Sequence, residues 1–261
     1  MDTNNNTYTV IYATVMVVIV ATLLALASYL LKDRQQRNVE LEKKQQILKS
    51  VKMGLDAATV DDKATYIEGL FDKHIVETKI TSDNEELTLY VCTMDNGDKM
   101  YIVPVHGTGL WGPIWGYVAL NKDYNTIYGV TYDHKGETPG LGAEISTPEF
   151  SDQFDQKQIF TNGEFKSILV VKGGKDPSST NEVDAISGGT ITSKAVEEML
   201  FKCISRYLEY FKSAALQAET DSLNAVESTP VADSTTTEAV TSNDATAKPS
   251  AKAEIPNPKN K

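Results

Sequence analysis

The sequence predicts an α+β domain with an antiparallel sheet, attached to a membrane by one N-terminal helix and followed by a disordered C-terminal tail. Three observations support this fold class. Residues 8–31 contain no charged side chain, residues 87–132 alternate between apolar and polar side chains, and residues 195–211 carry apolar side chains at helical spacing. A chain of 261 residues is long enough for one such domain with accessory segments.

The uncharged run predicts a transmembrane helix. At about 1.5 Å per residue, 24 residues exceed the roughly 30 Å apolar core of a bilayer, so the run would contact membrane lipid along its length. The preceding "MDTNNNT" lacks the basic start of a cleaved signal peptide, so we expect the helix to be retained. Residues 1–7 then precede the span. Residues 32–56, rich in helix formers and with leucines at 41, 48 and 55, predict a solvent-exposed helical stalk.

Residues 57–212 predict the α+β domain itself. A short helix in "TVDDKATYIEGLFDKHIV" precedes two hairpins, "LTLYVCTM" with "KMYIVPV" and "PIWGYVAL" with "TIYGVTY". Asn96 and Gly97 supply the positive φ angles of a tight turn in the first hairpin. Thr147 as cap and Pro148 as first helical residue predict the start of another helix, and "SILVV" predicts a further strand.

The last patterned segment is "AVEEMLFKCISRYLEYF", whose apolar residues fall on one side of a helix and should pack on the sheet. From residue 213 to residue 261 the chain consists mainly of Ala, Ser, Thr, Asp, Glu and Pro and has no aromatic side chain. Such a segment cannot offset its ordering entropy by burial, so we expect a disordered tail.

Composition excludes several classes of function. A net charge of −11 argues against nucleic-acid binding, which requires a basic surface. Cys92 and Cys203 lack CxxC spacing and predict two buried small hydrophobic residues, with a single disulfide as the alternative. The three histidines are too scattered in the sequence to suggest a metal site, and the chain has no GxSxG motif of a serine hydrolase.

The segment "SGGTITS", residues 187–193, stands directly before the last patterned helix. It is typical of a turn with a helix cap, in which Thr192 and Ser193 satisfy the first N–H groups. It is also typical of an anion site, because the N–H groups and dipole at the start of a helix favour a phosphate. No lysine follows in P-loop spacing, so a single phosphate on a nucleotide-like cofactor fits better than a triphosphate.

Two further loops combine glycine with large apolar residues. They are "HGTGLWGPIWG", which contains Leu110, Trp111 and Trp115, and "GETPGLGAE", which contains Leu141. Such loops connect hairpins and allow close packing. They can also form the walls of a site for a flat aromatic ligand.

With these segments the chain resembles the C subunit family of Na⁺-translocating NADH:quinone oxidoreductases, which is similar to the G subunit of Rnf electron-transport complexes. The resemblance runs from the span to about Phe211, through "LKDRQQRNVELEKKQQIL", "GTGLWGPIWGYVAL", "GETPGLGAEI" and "DAISGGTITS". It implies a flavoprotein that carries electrons in a sodium-exporting membrane complex, beside other integral subunits. An Rnf-type subunit and a non-catalytic anchored binding module are the alternatives.

The resemblance also implies covalent flavin mononucleotide (FMN), joined by a phosphoester bond to a threonine in the motif D-x-x-[S/T]-G-A-T. Asp184, Ser187, Gly188 and Thr190 match the motif, with Thr190 as the attachment point, whereas Gly189 replaces the alanine. In the family a separate flavin transferase makes this bond. In the family the segment "ETPGLG" lies beside the flavin, so Glu137, Thr138, Leu141 and Gly142 are further candidates. Trp111, in the first glycine-rich loop, is a candidate wall of the same site. Lys172 is either a compensating charge for the flavin or an ordinary exposed lysine at the end of a strand.

Two arguments disagree on which side of the membrane the domain lies. Positive residues follow the span and none precedes it, which predicts a cytoplasmic domain; they are Lys32, Arg34, Arg37, Lys43 and Lys44. The resemblance implies the opposite, a domain on the periplasmic side of a bacterial inner membrane. Because charge bias is less decisive for large translocated domains, we expect the domain on the periplasmic side and residues 1–7 as a cytoplasmic N-terminal segment.

Overall fold

The apolar N-terminal run belongs to a helix that continues far beyond the predicted span. In the computed structural model, which describes residues 6–227, helix α1 covers Asn6–Ser50 and contains neither glycine nor proline. Within that range it is the one helix long and apolar enough to cross a membrane, and its apolar part is exposed. Its last turns differ from the predicted exposed stalk, because Ile47 and Leu48 are fully buried against the domain.

A five-stranded antiparallel sheet forms the centre of the domain, as predicted. Its strands lie side by side in chain order: β1 Ile75–Ser82, β2 Glu85–Thr93, β3 Lys99–Thr108, β4 Pro113–Leu120 and β5 Ile127–His134. Strand β1 was not predicted. It follows helix α2 (Lys63–His74) without a loop, and its β-branched sequence "IVETKITS" is the signal that could have indicated it.

The loop between β2 and β3 is longer than the predicted tight turn. Residues 94–98 form it, and the Met94 N–H donates to the Asp98 carbonyl at 2.9 Å. Only Gly97, at φ 86°, has a positive φ here, so the expectation for Asn96 is wrong. The Asn96 side chain instead accepts a hydrogen bond from the Asp98 N–H at 3.0 Å. This bond adds to the backbone bond between Met94 and Asp98 in holding the loop.

Helices cover both faces of the sheet. Helix α4 (Thr190–Ser205) packs across β3 on one face, and its predicted apolar residues are buried there: Val196, Met199, Leu200, Cys203 and Ile204. The end of α1 and helix α2 cover the other face, with Ile47, Leu48, Val51 and Ile67 in a second apolar cluster. Cys92 and Cys203 are buried, unpaired and in different clusters, as expected for two small hydrophobic residues.

The remaining elements are short. Helix α3 (Pro148–Ser151) begins at the predicted residue but passes after one turn into a 3₁₀ turn, Asp152–Phe154. The other strands are β6 Phe160–Thr161 with β7 Glu164–Phe165, an antiparallel pair, and β8 Leu169–Val171 with β9 Glu182–Asp184, a parallel pair.

Helix α5 (Leu208–Glu227) continues beyond residue 213, where the sequence predicted the tail to begin. The residues just after that point include Ala, Leu, Gln and Glu, which are good helix formers. The rest of the predicted tail, residues 228–261, lies outside the described residues, as do residues 1–5.

Candidate functional site

The start of helix α4 carries an exposed hydroxyl group. Thr190 is the first residue of the helix and its side chain is exposed. The N-cap is Gly189, so no side chain caps the helix, and the first helical hydrogen bond runs from the Ser193 N–H to the Gly189 carbonyl at 2.9 Å. Gly188 has φ 74°, a left-handed conformation that glycine adopts without strain. The preceding turn therefore leaves Thr190 exposed and the first N–H groups of α4 without a side-chain cap.

Thr192 and Ser193 do not cap the helix, contrary to the sequence-based expectation. Both are about 1% exposed. The Thr192 hydroxyl donates to Oε2 of Glu137 at 2.5 Å, and Oγ of Ser193 accepts from the Ile186 N–H at 3.0 Å. The reason is that α4 begins at Thr190, which places these two residues inside its first turn, where they point into the protein.

Glu137 connects this turn with the glycine-rich loop between β3 and β4. Its side chain is buried, with 4% exposed. Its Oε1 accepts from the Trp111 N–H at 2.8 Å, while its Oε2 accepts from Thr192. The Glu137 N–H in turn contacts Nδ1 of His134 at 3.3 Å, at the end of β5. One carboxyl group thus joins segments that are far apart in the chain.

Three glycines let these segments approach closely. A Cβ added at Gly109 would lie 2.6 Å from Oε1 of Glu137, and one added at Gly142 would overlap Oε2 and the Thr192 hydroxyl. A Cβ at Gly188 would lie 2.5 Å from Cδ2 of Leu141. The loop of residues 137–142 is therefore packed against both the β3–β4 loop and the turn before Thr190.

Apolar side chains surround this junction and remain exposed. Trp111 is 68% exposed, Leu141 42% and Ile191 60%, and Leu110 is exposed beside Trp111. Thr138 and Ser187 are exposed as well. Sequence reasoning missed Ile191, although an apolar residue in the first turn of α4, off the buried stripe, was a usable signal. Exposed apolar side chains grouped in this way are a feature of ligand and partner sites.

Asp184 and Lys172 lie at the end of the parallel strand pair. Val171 is in register with Asp184, so Lys172, which is exposed, lies next to the segment that leads into the Thr190 turn. Oδ1 of Asp184 accepts from the Lys175 N–H at 2.6 Å, and the Asp184 N–H donates to Oε1 of Gln153 at 2.9 Å. In these contacts Asp184 holds the loop of residues 172–175.

The structure also contains a cleft away from these residues. It has a volume of about 710 Å³ and lies between α1 and β5, with Gln46, Lys49, Thr131 and Asp152 among its lining residues. None of the predicted site residues lines it. In residues 6–227 no group of three or more His, Cys, Asp or Glu side chains is placed to hold a metal ion.

Known proteins resemble the chain over this same region. The FMN-binding domain family matches residues 109–205, which include both glycine-rich loops and the start of α4. The C subunit of the Na(+)-translocating NADH-quinone reductase of Vibrio vulnificus strain YJ016 is 31% identical over 206 residues, which cover 64% of this chain and 78% of that protein. The chain belongs to the C subunit family of Na(+)-translocating NADH-quinone reductases.

Other members of the family agree in sequence and in fold. The C subunit of Neisseria meningitidis serogroup B is 41% identical over 121 residues, covering 44% of this chain and 46% of that protein. The crystal structure of the C subunit from Parabacteroides distasonis ATCC 8503 matches with 40% identity and a TM-score of 0.61, over 69% of this chain and 96% of that one. The crystal structure of Shewanella oneidensis NqrC, which is 24% identical, shares the fold with a TM-score of 0.57. The match covers 69% of this chain and 98% of that one.

Proposed function

We propose that the protein is the membrane-anchored FMN subunit of a Na⁺-translocating NADH:quinone oxidoreductase and carries electrons through FMN joined by a phosphoester bond to Thr190. The observation that carries this proposal is the exposed Thr190 hydroxyl at the uncapped start of α4, inside the region that matches the FMN-binding domain. The other integral subunits of the complex would be its partners, and a separate flavin transferase would form the bond.

The residues present fit a phosphate at this position. A phosphodiester retains one negative charge, and the N–H groups and dipole at the start of α4 stabilise a negative charge there. Gly188 and Gly189 have no side chains that would shield the Thr190 hydroxyl from an incoming enzyme. Gly189, at φ −103°, takes the place of the alanine in the family motif; a Cβ there would lie 2.9 Å from Cγ2 of Ile186, so the substitution relieves a close contact.

The residues present also fit a flat aromatic ring. Trp111, Leu141 and Ile191 expose apolar surface around the junction, which suits the body of the ring. Thr138 and Ser187 offer exposed polar groups, and Lys172 would offset flavin negative charge. Gly142 allows the close approach of its loop, and Asp184 shapes the loop that follows Lys172.

FMN, when bound, supplies one- and two-electron redox chemistry. Thr190 would carry it through its side-chain oxygen, and the loops that contain Trp111 and Leu141 would lie beside the ring. The apolar surface of Trp111 and Leu141 would exclude water on that side. Helix α1 keeps the site at the membrane, where the other subunits lie.

The flavin attachment is tested by replacing Thr190 with valine, which keeps the side-chain shape and removes the hydroxyl. The control is Thr81→Val, at an exposed threonine on edge strand β1. The purified proteins are run on a denaturing gel, viewed under ultraviolet light and mapped by mass spectrometry of the tryptic peptide that contains residues 187–194. We expect flavin on Thr190 in the wild type and in Thr81→Val, and none in Thr190→Val.

Three results would contradict the proposal. Covalent flavin in the Thr190→Val protein, or flavin mapped to Thr192, would remove Thr190 as the attachment point. A wild-type protein without any covalent flavin, isolated from cells that contain the transferase, would favour a binding module.

We further propose that the domain lies on the periplasmic side, which the position of the transferase in the family favours over the charge count. A cysteine introduced at Asn96, in the exposed β2–β3 loop, tests this in intact cells. Cys92 and Cys203 are buried, so they contribute little labelling. Modification by a membrane-impermeant reagent is expected, and protection until the cells are lysed would place the domain in the cytoplasm.

A further inference from the structure

We propose that Glu137 is a positioning residue: its buried carboxyl group fixes the β3–β4 loop and the first turn of α4 to each other, and so sets where Trp111 and Thr190 stand. This inference rests on the proposed function only for what Thr190 carries. Both carboxyl oxygens accept hydrogen bonds from the protein, one from the Trp111 N–H and one from the Thr192 hydroxyl. Glu137 therefore acts through these neighbours rather than by contact with flavin.

The burial of Glu137 calls for a reason other than stability. Removing a carboxyl group from water costs free energy unless donors replace the lost water. Replacing a buried hydrogen-bonded pair by apolar groups of the same shape can be nearly neutral for stability. The two donors here lie 26 and 55 residues away in the sequence, in segments that touch the proposed flavin site from different sides. The arrangement gives a fixed geometry at that site.

Two glycines pack closely around the carboxyl group of Glu137. A Cβ added at Gly109 or at Gly142 would collide with a carboxyl oxygen of Glu137. A residue with a side chain at either position would therefore hold its loop farther from Glu137. Gly142 also contacts the Thr192 hydroxyl. A shift of Glu137 would consequently move both loops together with the helix turn.

The connection from Glu137 to Thr190 is short. Thr192 is the third residue of α4 and Thr190 the first, within the same turn. Leu141, in the same loop as Glu137, contacts the turn at Gly188 just before Thr190. The loop of residues 137–142 thus holds the acceptor threonine from both sides, by a hydrogen bond after it and by apolar contact before it.

Four variants separate this role from general stability. Glu137→Ala removes both hydrogen bonds. Glu137→Gln keeps an oxygen that accepts from Trp111 and offers an amide that donates to the Thr192 hydroxyl. Thr192→Val removes one bond at nearly constant volume. The matched control is Glu144→Gln, because Glu144 lies in the 3₁₀ turn Gly142–Ser146 and its Oε1 accepts from the nearby Gly140 N–H at 2.9 Å.

The first measurement is the fraction of folded protein that carries covalent flavin. We expect at least a fivefold loss in Glu137→Ala, a smaller loss in Thr192→Val, and values near wild type in Glu137→Gln and Glu144→Gln. Flavin that still attaches in Glu137→Ala should show lower fluorescence anisotropy, because the loop beside it is released. Thr192→Val separates positioning from loss of packing, because it removes one hydrogen bond at nearly constant side-chain volume. Glu137→Gln, which keeps both the volume and the hydrogen bonds, should restore the anisotropy.

The second measurement does not depend on flavin. In a Thr190→Ala background, amide hydrogen exchange at Trp111 should become at least tenfold faster when Glu137 is alanine, while Glu144→Gln leaves it unchanged. If Glu137→Ala unfolds the domain, the same two measurements on Thr192→Val decide, with faster exchange in the first turn of α4 as the expected result.

Wild-type flavin content together with unchanged Trp111 exchange in Glu137→Ala would overturn the inference. If the alanine variant unfolds, wild-type flavin content together with unchanged exchange in the first turn of α4 in Thr192→Val would overturn it. Absence of covalent flavin from the wild type would instead refute the proposed function, and the exchange data would still judge the role of Glu137.

Discussion

Replacing Gly129 with alanine should loosen the joint between the membrane helix and the sheet. Gly129 lies on β5, directly beneath the end of α1. A Cβ at this position would lie 2.6 Å from the Ser50 carbonyl oxygen and 3.4 Å from Cε of Lys52. Ordinary contacts of a Cβ begin near 3.4 Å. Because the obstructing atom belongs to the backbone, the end of α1 must move by most of an ångström rather than rotate a side chain away.

The cost follows from what this movement disturbs. Forcing a methyl group into a packed interface costs about 1–3 kcal/mol. One turn before Ser50, Gln46 joins α1 to the sheet. Its side-chain amide donates to Asp133 at 2.7 Å, and its backbone carbonyl accepts from the Thr131 hydroxyl at 3.1 Å. Ile47 and Leu48 are fully buried beside it. We therefore expect a loss of about 2 kcal/mol in the free energy of unfolding, or roughly 4–8 °C in the melting temperature.

Thermal unfolding of the detergent-solubilised protein, followed by circular dichroism, measures this loss. Gly69→Ala is the control, because nothing lies within 4 Å of its added Cβ and alanine favours the interior of helix α2. The control should gain about 0.5–1 kcal/mol. If Gly129→Ala melts with the wild type while Gly69→Ala shows the expected gain, α1 does not pack on β5 as described.

One substitution, at Tyr132, and one chemical modification, at Cys92, test the interior of the domain. The Tyr132 hydroxyl is buried without a hydrogen-bond partner among the described residues, so Tyr132→Phe should keep the free energy of unfolding or raise it by up to about 1 kcal/mol, measured by urea denaturation; a loss above that size would reveal a partner. Burial raises the pKa of the Cys92 thiol to about 11, so its thiolate should be about two orders of magnitude rarer at pH 8 than that of a free cysteine. Alkylation of Cys92 by iodoacetamide should accordingly be slow in the native protein, accelerate as the pH approaches 11 and reach the ordinary rate in urea, whereas an ordinary rate in the native protein would contradict its burial.

Local sequence patterns were sufficient wherever a short segment determines its own conformation. The uncharged run predicted the membrane helix, the alternation of residues 113–132 predicted β4 and β5, and the apolar stripe of α4 predicted its buried residues. Strand β1 was missed because it follows α2 without a turn residue to separate them. The loop after β2 was misjudged because it spans five residues, in which Gly97 alone takes a positive φ and the Asn96 side chain accepts from the Asp98 N–H.

The sequence by itself determined the fold class and the membrane helix, because hydrophobic periodicity acts over a few neighbouring residues. The choice of Thr190 as the candidate attachment residue came from the resemblance to the family motif. Only the tertiary structure decided that the loop of residues 137–142 touches both Trp111 and the turn before Thr190, and that Thr192 bonds Glu137 instead of capping α4. Those contacts join residues up to 55 positions apart. They depend on how the loops that follow β3 and β5 pack against the start of α4. No local sequence pattern encodes this packing, because the segments are far apart in the chain.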